Sequence, residues 1–246
     1  MSVHAQTEAK TITLMIGEAL NENGEAIALK PENKKIIDYI EGSIGVHFDL
    51  QRLPIPRLIE GVKQGNGIAF GVSKTSERLK TMIYSDVIFT DYVWLIVRDD
   101  SAINSSNIEA LRGKSLGIVR GTHFNDEIDH QRNVVFKVEE DPSQLSSRLR
   151  KLLSGRMDAM LLNSRIRSAK ELEMELSQYM VDKKIHLNLN EKPGIRVISK
   201  PFLADDVYFV TGIKSDKSIL KKINAAMAKG RLSGDLPELH QASQSK

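Results

Sequence analysis

The sequence predicts an α/β protein built as two lobes, and three observations carry that prediction. Strand-like β-branched runs alternate with amphipathic helical segments; the alternation runs once before about residue 95 and again after about residue 115; and no proline-, glycine- and serine-rich linker separates the two runs. Strand–helix–strand alternation signals a sheet with crossover helices. The chain has 246 residues, 41% hydrophobic and 27% charged, so burial drives folding without staples. Two lobes of roughly 100 residues each fit ordinary domain sizes.

Taken in order, Thr11 to Ile16 is β-branched and apolar and stops at Gly17, which predicts a buried strand. Asn21 to Gly24 reads as a loop. Pro31 to Glu41 sets Ile36, Ile37 and Ile40 at helical spacing, with Pro31 in the first turn. Val46 to Leu53 alternates as a strand. Pro56 to Gln64 is a helix with Leu58, Ile59 and Val62 on one face and Gly65 as its stop, and Gly67 to Val72 is a short strand. Tyr92 to Val97 is a continuous apolar strand that has to carry the chain between lobes. An extended strand shared in this way makes a hinge, because few residues need to change φ and ψ. The second run begins with strand Leu116 to Val119, then Gly121-Thr122 and a polar helix start. Strand Val134 to Val138, helix Gln144 to Leu153, strand Asp158 to Leu162 and helix Arg165 to Tyr179 follow. A late strand, Tyr208 to Val210, and a closing helix, Ser218 to Ala228, complete the chain; no fixed-period repeat is present.

Composition removes several functions. The net charge is +3, and Lys34-Lys35 and Lys183-Lys184 lie beside acids, as on solvated faces. A nucleic-acid partner is not expected, since that needs a clustered basic face. With no cysteine, thiol catalysis, cysteine–zinc sites and disulfides are excluded, while the compartment stays open. No apolar run approaches the roughly 20 residues of a membrane helix. Val3-His4-Ala5 has the small–x–small form of a signal-peptidase site, so residues 1–9 read either as the tail of a removed export signal or as an ordinary disordered terminus. The six histidines show no metal spacing, and no nucleophile elbow, P-loop or G-x-G-x-x-G occurs. No cofactor or metal is expected. Paired acids such as Asp99-Asp100, Glu139-Glu140 and Asp205-Asp206 read as element ends with capping and solvation roles.

Residues 65–97, GNGIAFGVSKTSERLKTMIYSDVIFTDYVWLIV, carry a strand, a serine/threonine turn (Ser73 to Arg78), Tyr84-Ser85-Asp86 and a second strand. Residues 108–122, Leu153 to Ala159 and Leu220 to Gly230 add three further motifs. In this order the set resembles the family-3 extracellular solute-binding proteins, the polar amino-acid-binding type of ABC transporter systems. The resemblance implies a two-lobed periplasmic binding protein-like fold of type II, each lobe a mixed sheet flanked by helices, joined by a two-strand hinge. It places lobe 1 at residues 10–95 and 201–246 and lobe 2 at 96–200. It also implies a periplasmic monomer with its signal peptide removed, capturing a small carboxylate or amino-acid-like ligand by lobe closure for a membrane permease. A ligand sensor for a signalling partner is the alternative, and a dehydratase on the same fold a further one.

Arg78 follows a serine/threonine turn, where its planar fork can bind a carboxylate through two charge-assisted bonds. The alternative is a surface arginine paired with Glu77 or Asp86. Ser73 with nearby backbone either bonds the ligand or caps the following helix. The resemblance adds Gly71 and Phe70 on the preceding strand, and Thr122 and His123 on the opposite lobe, at a helix start that favours anions. It also adds Asn163, where relatives usually carry an aspartate for the ligand's α-ammonium; the amide brings no charge, so a standard α-amino acid is in doubt. Arg57 is a secondary candidate, and Phe89 or Tyr92 either supplies an apolar wall to the site or packs in the core. The one acid–base set to propose is His123 with Asp206 or Glu18.

Overall fold

A computed structural model describes residues 10–185 and 194–239. The expectation for residues 1–9, and His4, His186 and His240, lie outside the described residues. The first lobe opens with β1 (Lys10–Gly17), α1 (Pro31–Ile44), β2 (Val46–Leu53), α2 (Ile55–Lys63), β3 (Ile68–Ser73) and the single-turn α3 (Ser76–Leu79). Strand β4 (Met82–Arg98) runs into the second lobe, which continues through β5 (Ser115–Val119), α4 (Asp126–Asp129), β6 (Lys137–Asp141), α5 (Leu145–Leu153), β7 (Ala159–Ser164), α6 (Ala169–Asp182) and β8 (Ile195–Val197). Strand β9 (Leu203–Gly212) returns to the first lobe and leads to α7 (Ser218–Ser233).

The strand order is β2-β1-β3-β9-β4-β7-β5-β6, with β8 also on β4. In the first lobe β1 pairs in parallel with β2 and β3, and β9 closes against β3 antiparallel. In the second lobe β5 pairs in parallel with β6 and β7, and β4 closes against β7 antiparallel. The lobes are thus two copies of one plan, each sealed by a strand that comes from or goes to the other. Strands β4 and β9 pair from Met82↔Gly212 to Val93↔Leu203 and form the two-strand connection.

Burial follows the predicted faces. Ile36, Ile37 and Ile40 of α1 pack with Leu14, Ile16, Phe209, Ile223 and Met227. The helix stops at Gly45, whose φ of 67° is the left-handed cap glycine adopts freely. In the second lobe Trp94, Ile96, Leu149, Leu152, Met160 and Leu176 form one side of the core, and Val93, Leu95, Leu116 and Phe136 the other. Several elements differ from the sequence expectation: α6 starts at Ala169 rather than Arg165, and β9 starts five residues before Tyr208. Strand β4 begins ten residues before Tyr92, because Ser85, Asp86, Thr90 and Asp91 interrupt its apolar pattern and two register shifts bend it. The strand expected at Val134 to Val138 starts at Lys137 instead: Asn133 turns the chain at φ 58°, leaving Val134 exposed while Val135 and Phe136 plug the core from a loop.

Candidate ligand-binding cleft

Between the lobes lies a cavity of about 190 Å³, room for roughly six waters at ~30 Å³ each. The first lobe lines it with Gly71 and Ser73 of β3, Arg78 of α3 and, from the connecting strands, Asp91 and Asp205. The second lobe brings Thr122 and His123, on the loop after β5, and Asn163 of β7. Ile55 and Leu58 give an apolar wall.

Thr75 holds Arg78 in place: it caps α3, and its hydroxyl accepts from the Arg78 backbone N–H at 3.1 Å. The Arg78 side chain is buried, 7% exposed, and Nη1 donates to the Ser73 carbonyl at 3.2 Å. Burial pushes the guanidinium pKa down, opposed by Tyr84 and Asp205. Tyr84 donates to the same carbonyl at 3.4 Å, stands edge-on to Tyr208, and is pushed up to about 12 by burial. On the other side of the turn, Ser73 Oγ donates to Asp205 Oδ2 at 2.5 Å. Ser73 therefore orients both charges of this wall, its carbonyl the cation and its hydroxyl the anion.

Asp205 stands directly opposite Asp91 in the β4–β9 ladder. Side chains opposite one another share a face, and like charges there are destabilising. Burial raises both carboxyls: Asp205 to about 6, opposed by the Ser73 hydrogen bond, and Asp91 upward against the pull of Arg165, whose Nε lies 3.8 Å away. One residue further along, Asp206 turns away and accepts from Thr90 Oγ1 at 2.5 Å.

The second lobe presents milder chemistry. Thr122 N–H closes a turn onto Val119 at 2.9 Å, and His123 Nδ1 lies 3.0 Å from Asp129. Although burial works against it, hydrogen bonds from His123 and Arg132 hold the Asp129 carboxyl below its usual value. Asn163 is exposed toward the cavity.

Six of the seven residues singled out in the sequence meet at this cavity: Gly71, Ser73, Arg78, Thr122, His123 and Asn163. Phe70 does not. It lies on the opposite face of β3, 5% exposed, with its ring 5.2 Å from Phe209 and 6.0 Å from Phe89. Arg57 is exposed on α2. Phe89 sits beneath the Arg165 guanidinium at 3.3 Å, and Tyr92 lies 5.9 Å from Arg167, so neither lines the cavity. Asp206 is likewise outside it, while Glu18 lines a second cavity of the same cleft, about 290 Å³, with Ile55, Arg120 and Ser143. Sequence reasoning missed Asp91 and Asp205. Asp205 was taken for an element end, yet it stands inside a ten-residue strand; two acids leading straight into an apolar run, Val207 to Val210, were the available signal.

The lobes touch around the mouth. Ser76 donates to Asp126, Gln144 donates to the Asn21 carbonyl at 2.7 Å, and Glu22 accepts from Tyr179 at 3.2 Å and faces Lys183 at 3.3 Å. Gly121, at φ 75°, lies against Pro56 so closely that a Cβ there would sit 2.7 Å from the proline ring. Among the described residues no three His, Asp or Glu side chains are grouped to hold a metal, and no helix is long and apolar enough to cross a membrane.

Residues 19–243 match the bacterial extracellular solute-binding proteins, family 3. The chain belongs to that family. Among family-3 relatives, the arginine-binding extracellular protein ArtP of Bacillus subtilis (strain 168) is 26% identical over 121 residues, 48% of this chain and 46% of ArtP, so the match spans about half of that protein. The fold agrees with solved structures. A mutant of ArgBP from T. maritima superposes with a TM-score of 0.67 at 19% identity, covering 91% of this chain and 90% of that one. The GluR0 ligand-binding core from Nostoc punctiforme, in complex with L-glutamate, gives 0.66 at 17% identity, covering 91% and 94%. AbpA from Streptococcus pneumoniae, bound to L-arginine, gives 0.66 at 16%, covering 92% and 90%. The expected type II fold of two lobes is therefore established, and family-3 membership makes this a solute-binding protein.

Proposed function

We propose that this family-3 protein captures a small carboxylate-bearing ligand, an amino acid or a relative, by closing its lobes over it. The observation that carries the reading is Arg78. Its guanidinium is buried at the cavity wall, bonded only to one carbonyl, and makes no ion pair among the described residues. A buried cation without a partner is costly, and a bidentate carboxylate would supply both charge and hydrogen bonds. Across the cleft, Thr122 and His123 are positioned to engage the ligand, and Asn163 to accept or donate neutral hydrogen bonds. Contacts from both lobes favour the closed form, since an open form offers only one set.

The same reading assigns residues 10–95 and 201–246 to lobe 1 and 96–200 to lobe 2. The division of the cores supports two lobes with the crossing on β4 a few residues earlier: Ile88 packs with the first core, and Val93, Trp94 and Leu95 with the second. It further assigns the protein to the periplasm, as a monomer whose closed form is read by the membrane permease of an ABC transporter. Family membership supports the extracytoplasmic part of that assignment.

The test is a thermal-shift and calorimetric screen of amino acids, dicarboxylates and other small acids against the wild type and Arg78→Ala. A ligand raises apparent stability by mass action. Wild-type hits confined to carboxylates, each weakened by about 2–5 kcal/mol in the variant, are expected. A folded Arg78→Ala protein that binds as tightly as the wild type would remove Arg78 from the role.

A further inference from the structure

The cavity wall holds two charges of opposite sign. Arg78 and Asp205 flank Ser73, which bonds both, and both line the same small space. They do not pair with each other: among the described residues Asp205 has no ion pair, and its one side-chain bond is the Ser73 hydroxyl. Asp91, its cross-strand neighbour, differs in having the Arg165 guanidinium 3.8 Å away. Asp205 is therefore the carboxylate of the cavity that lacks a cation. Its surroundings make that lack expensive, with Asp91 opposite it on β4 and Asp206 beside it on β9. A like-charge pair facing one cavity is retained against its own repulsion, and a ligand cation relieves it.

We propose that Asp205 recognises the cationic group of the ligand, so that the ligand is a small zwitterion held at both ends by the first lobe. This rests on the assignment of Arg78 to the ligand's carboxylate. The charge that Asn163 cannot supply from the second lobe is then supplied from the strand that joins the lobes. An ammonium on the carbon next to the carboxylate suits a space of about 190 Å³. The second lobe adds the neutral groups of Thr122 and Asn163 together with His123. Binding also acquires a pH dependence. Burial holds the Asp205 carboxyl up at about 6 in the empty site. Below that pH the site binds its cation only by giving up a proton, and affinity falls. The groups facing this carboxyl are Ser73 of β3, Arg78 of α3, Asp91 of β4 with Arg165 behind it, Asp206 and Tyr208 of β9, and His123 across the cleft.

The experiment is calorimetric titration of glycine and the common L-amino acids other than proline, with their desamino counterparts, identical but for hydrogen in place of the ammonium, into wild type, Asp205→Asn, Arg78→Ala and His123→Gln. The wild type is expected to bind at least one amino acid at least about 30-fold tighter than its desamino counterpart, and Asp205→Asn to erase that preference. Wild-type affinity is expected to fall below pH 6, a fall kept in His123→Gln and lost in Asp205→Asn. Equal binding of an amino acid and its desamino counterpart overturns the proposal, as does undiminished amino-acid binding by Asp205→Asn. If desamino acids still bind and Arg78→Ala abolishes them, the carboxylate clamp stands and only the role of Asp205 falls. If nothing on the panel binds the wild type, both fall. The wild-type pH profile decides the matter even if Asp205→Asn folds poorly.

Discussion

The two lobes repeat one plan and handle buried charge in opposite ways. Each builds three parallel strands with the first in the middle, and each sends a crossover helix under the sheet to a left-handed glycine, Gly65 at φ 78° after α2 and Gly155 at φ 72° after α5. In the first lobe the helix meets the sheet through Leu58 and Val62, 1% and 0% exposed, and the buried Arg78 and the half-buried Asp205 face the cavity. In the second lobe the helix carries Arg148, 3% exposed, beneath the sheet. Its Nη2 donates to the carbonyls of Leu161 at 2.6 Å and Gly117 at 3.3 Å, and its Nε faces the fully buried Asp141 at 3.6 Å. Lys151 completes the cluster at 2.8 Å from Asp141. Arg148 thus ties β5, β6 and β7 together just behind the loop of Thr122 and the strand of Asn163. One lobe turns its charge toward the cavity; the other turns it inward to fix the scaffold behind Thr122 and Asn163.

That contrast is open to attack at several points. The largest effect is expected from Arg148→Leu, which leaves the buried Asp141 with Lys151 as its remaining cation and takes the donor from the Leu161 and Gly117 carbonyls: a loss of about 3–5 kcal/mol in urea denaturation. The double change Arg148→Leu with Asp141→Leu should recover part of it, because no carboxylate is then left buried and Lys151 keeps Glu139 at 3.2 Å. A single-variant loss below about 1 kcal/mol would mean that the inward cluster is not structural. Next, Leu58→Ala should lose about 2–4 kcal/mol through the cavity it leaves, a purely apolar response in the lobe without an internal ion pair.

Asp205 supplies the third test. Its folded pKa, about 6, stands above the unfolded value of about 3.9. The folded state therefore holds the proton more tightly, and stability present below pH 4 is lost as pH rises to 6. Relative to Asp205→Asn, the wild type should lose about 2–3 kcal/mol across that window and then level off. A variant stabilised at pH 7 yet impaired in binding would mark this carboxylate as kept for the ligand; parallel profiles would remove the asymmetry between the lobes. The smallest effect belongs to the mouth. Ser76→Ala removes a bond to Asp126 across the cleft and should weaken ligand affinity by about 0.5–1.5 kcal/mol, with fold stability unchanged.

Much of this was visible in the sequence, for physical reasons. The apolar runs at Thr11 to Ile16 and Tyr92 to Val97, and the isoleucine face of α1, announce themselves because each is buried by the face that its period predicts. Arg78 was legible only through the ordered motifs around it, since an arginine beside Glu77 has a surface explanation as good as any. The first half of β4 was hidden by Ser85, Asp86, Thr90 and Asp91, polar residues of which Ser85 is buried, accepting from the Phe209 N–H, while Asp91 lines the cavity. Asp205 was hidden for the same reason. Its meaning comes from the residue paired opposite it across the ladder, and strand pairing is a long-range fact that local composition does not contain. Phe70 erred in the other direction: strand alternation sends it to the core while Gly71 and Ser73 reach the cavity.

The close approach of Gly121 to Pro56 fixes how near the two jaws can come. Any bulk introduced at position 121 acts as a spacer, and a graded series of side chains there would arrest the molecule at graded apertures. Such a set would offer any partner protein shut, half-shut and gaping forms at saturating ligand, so that what it senses, shape or cargo, can be told apart.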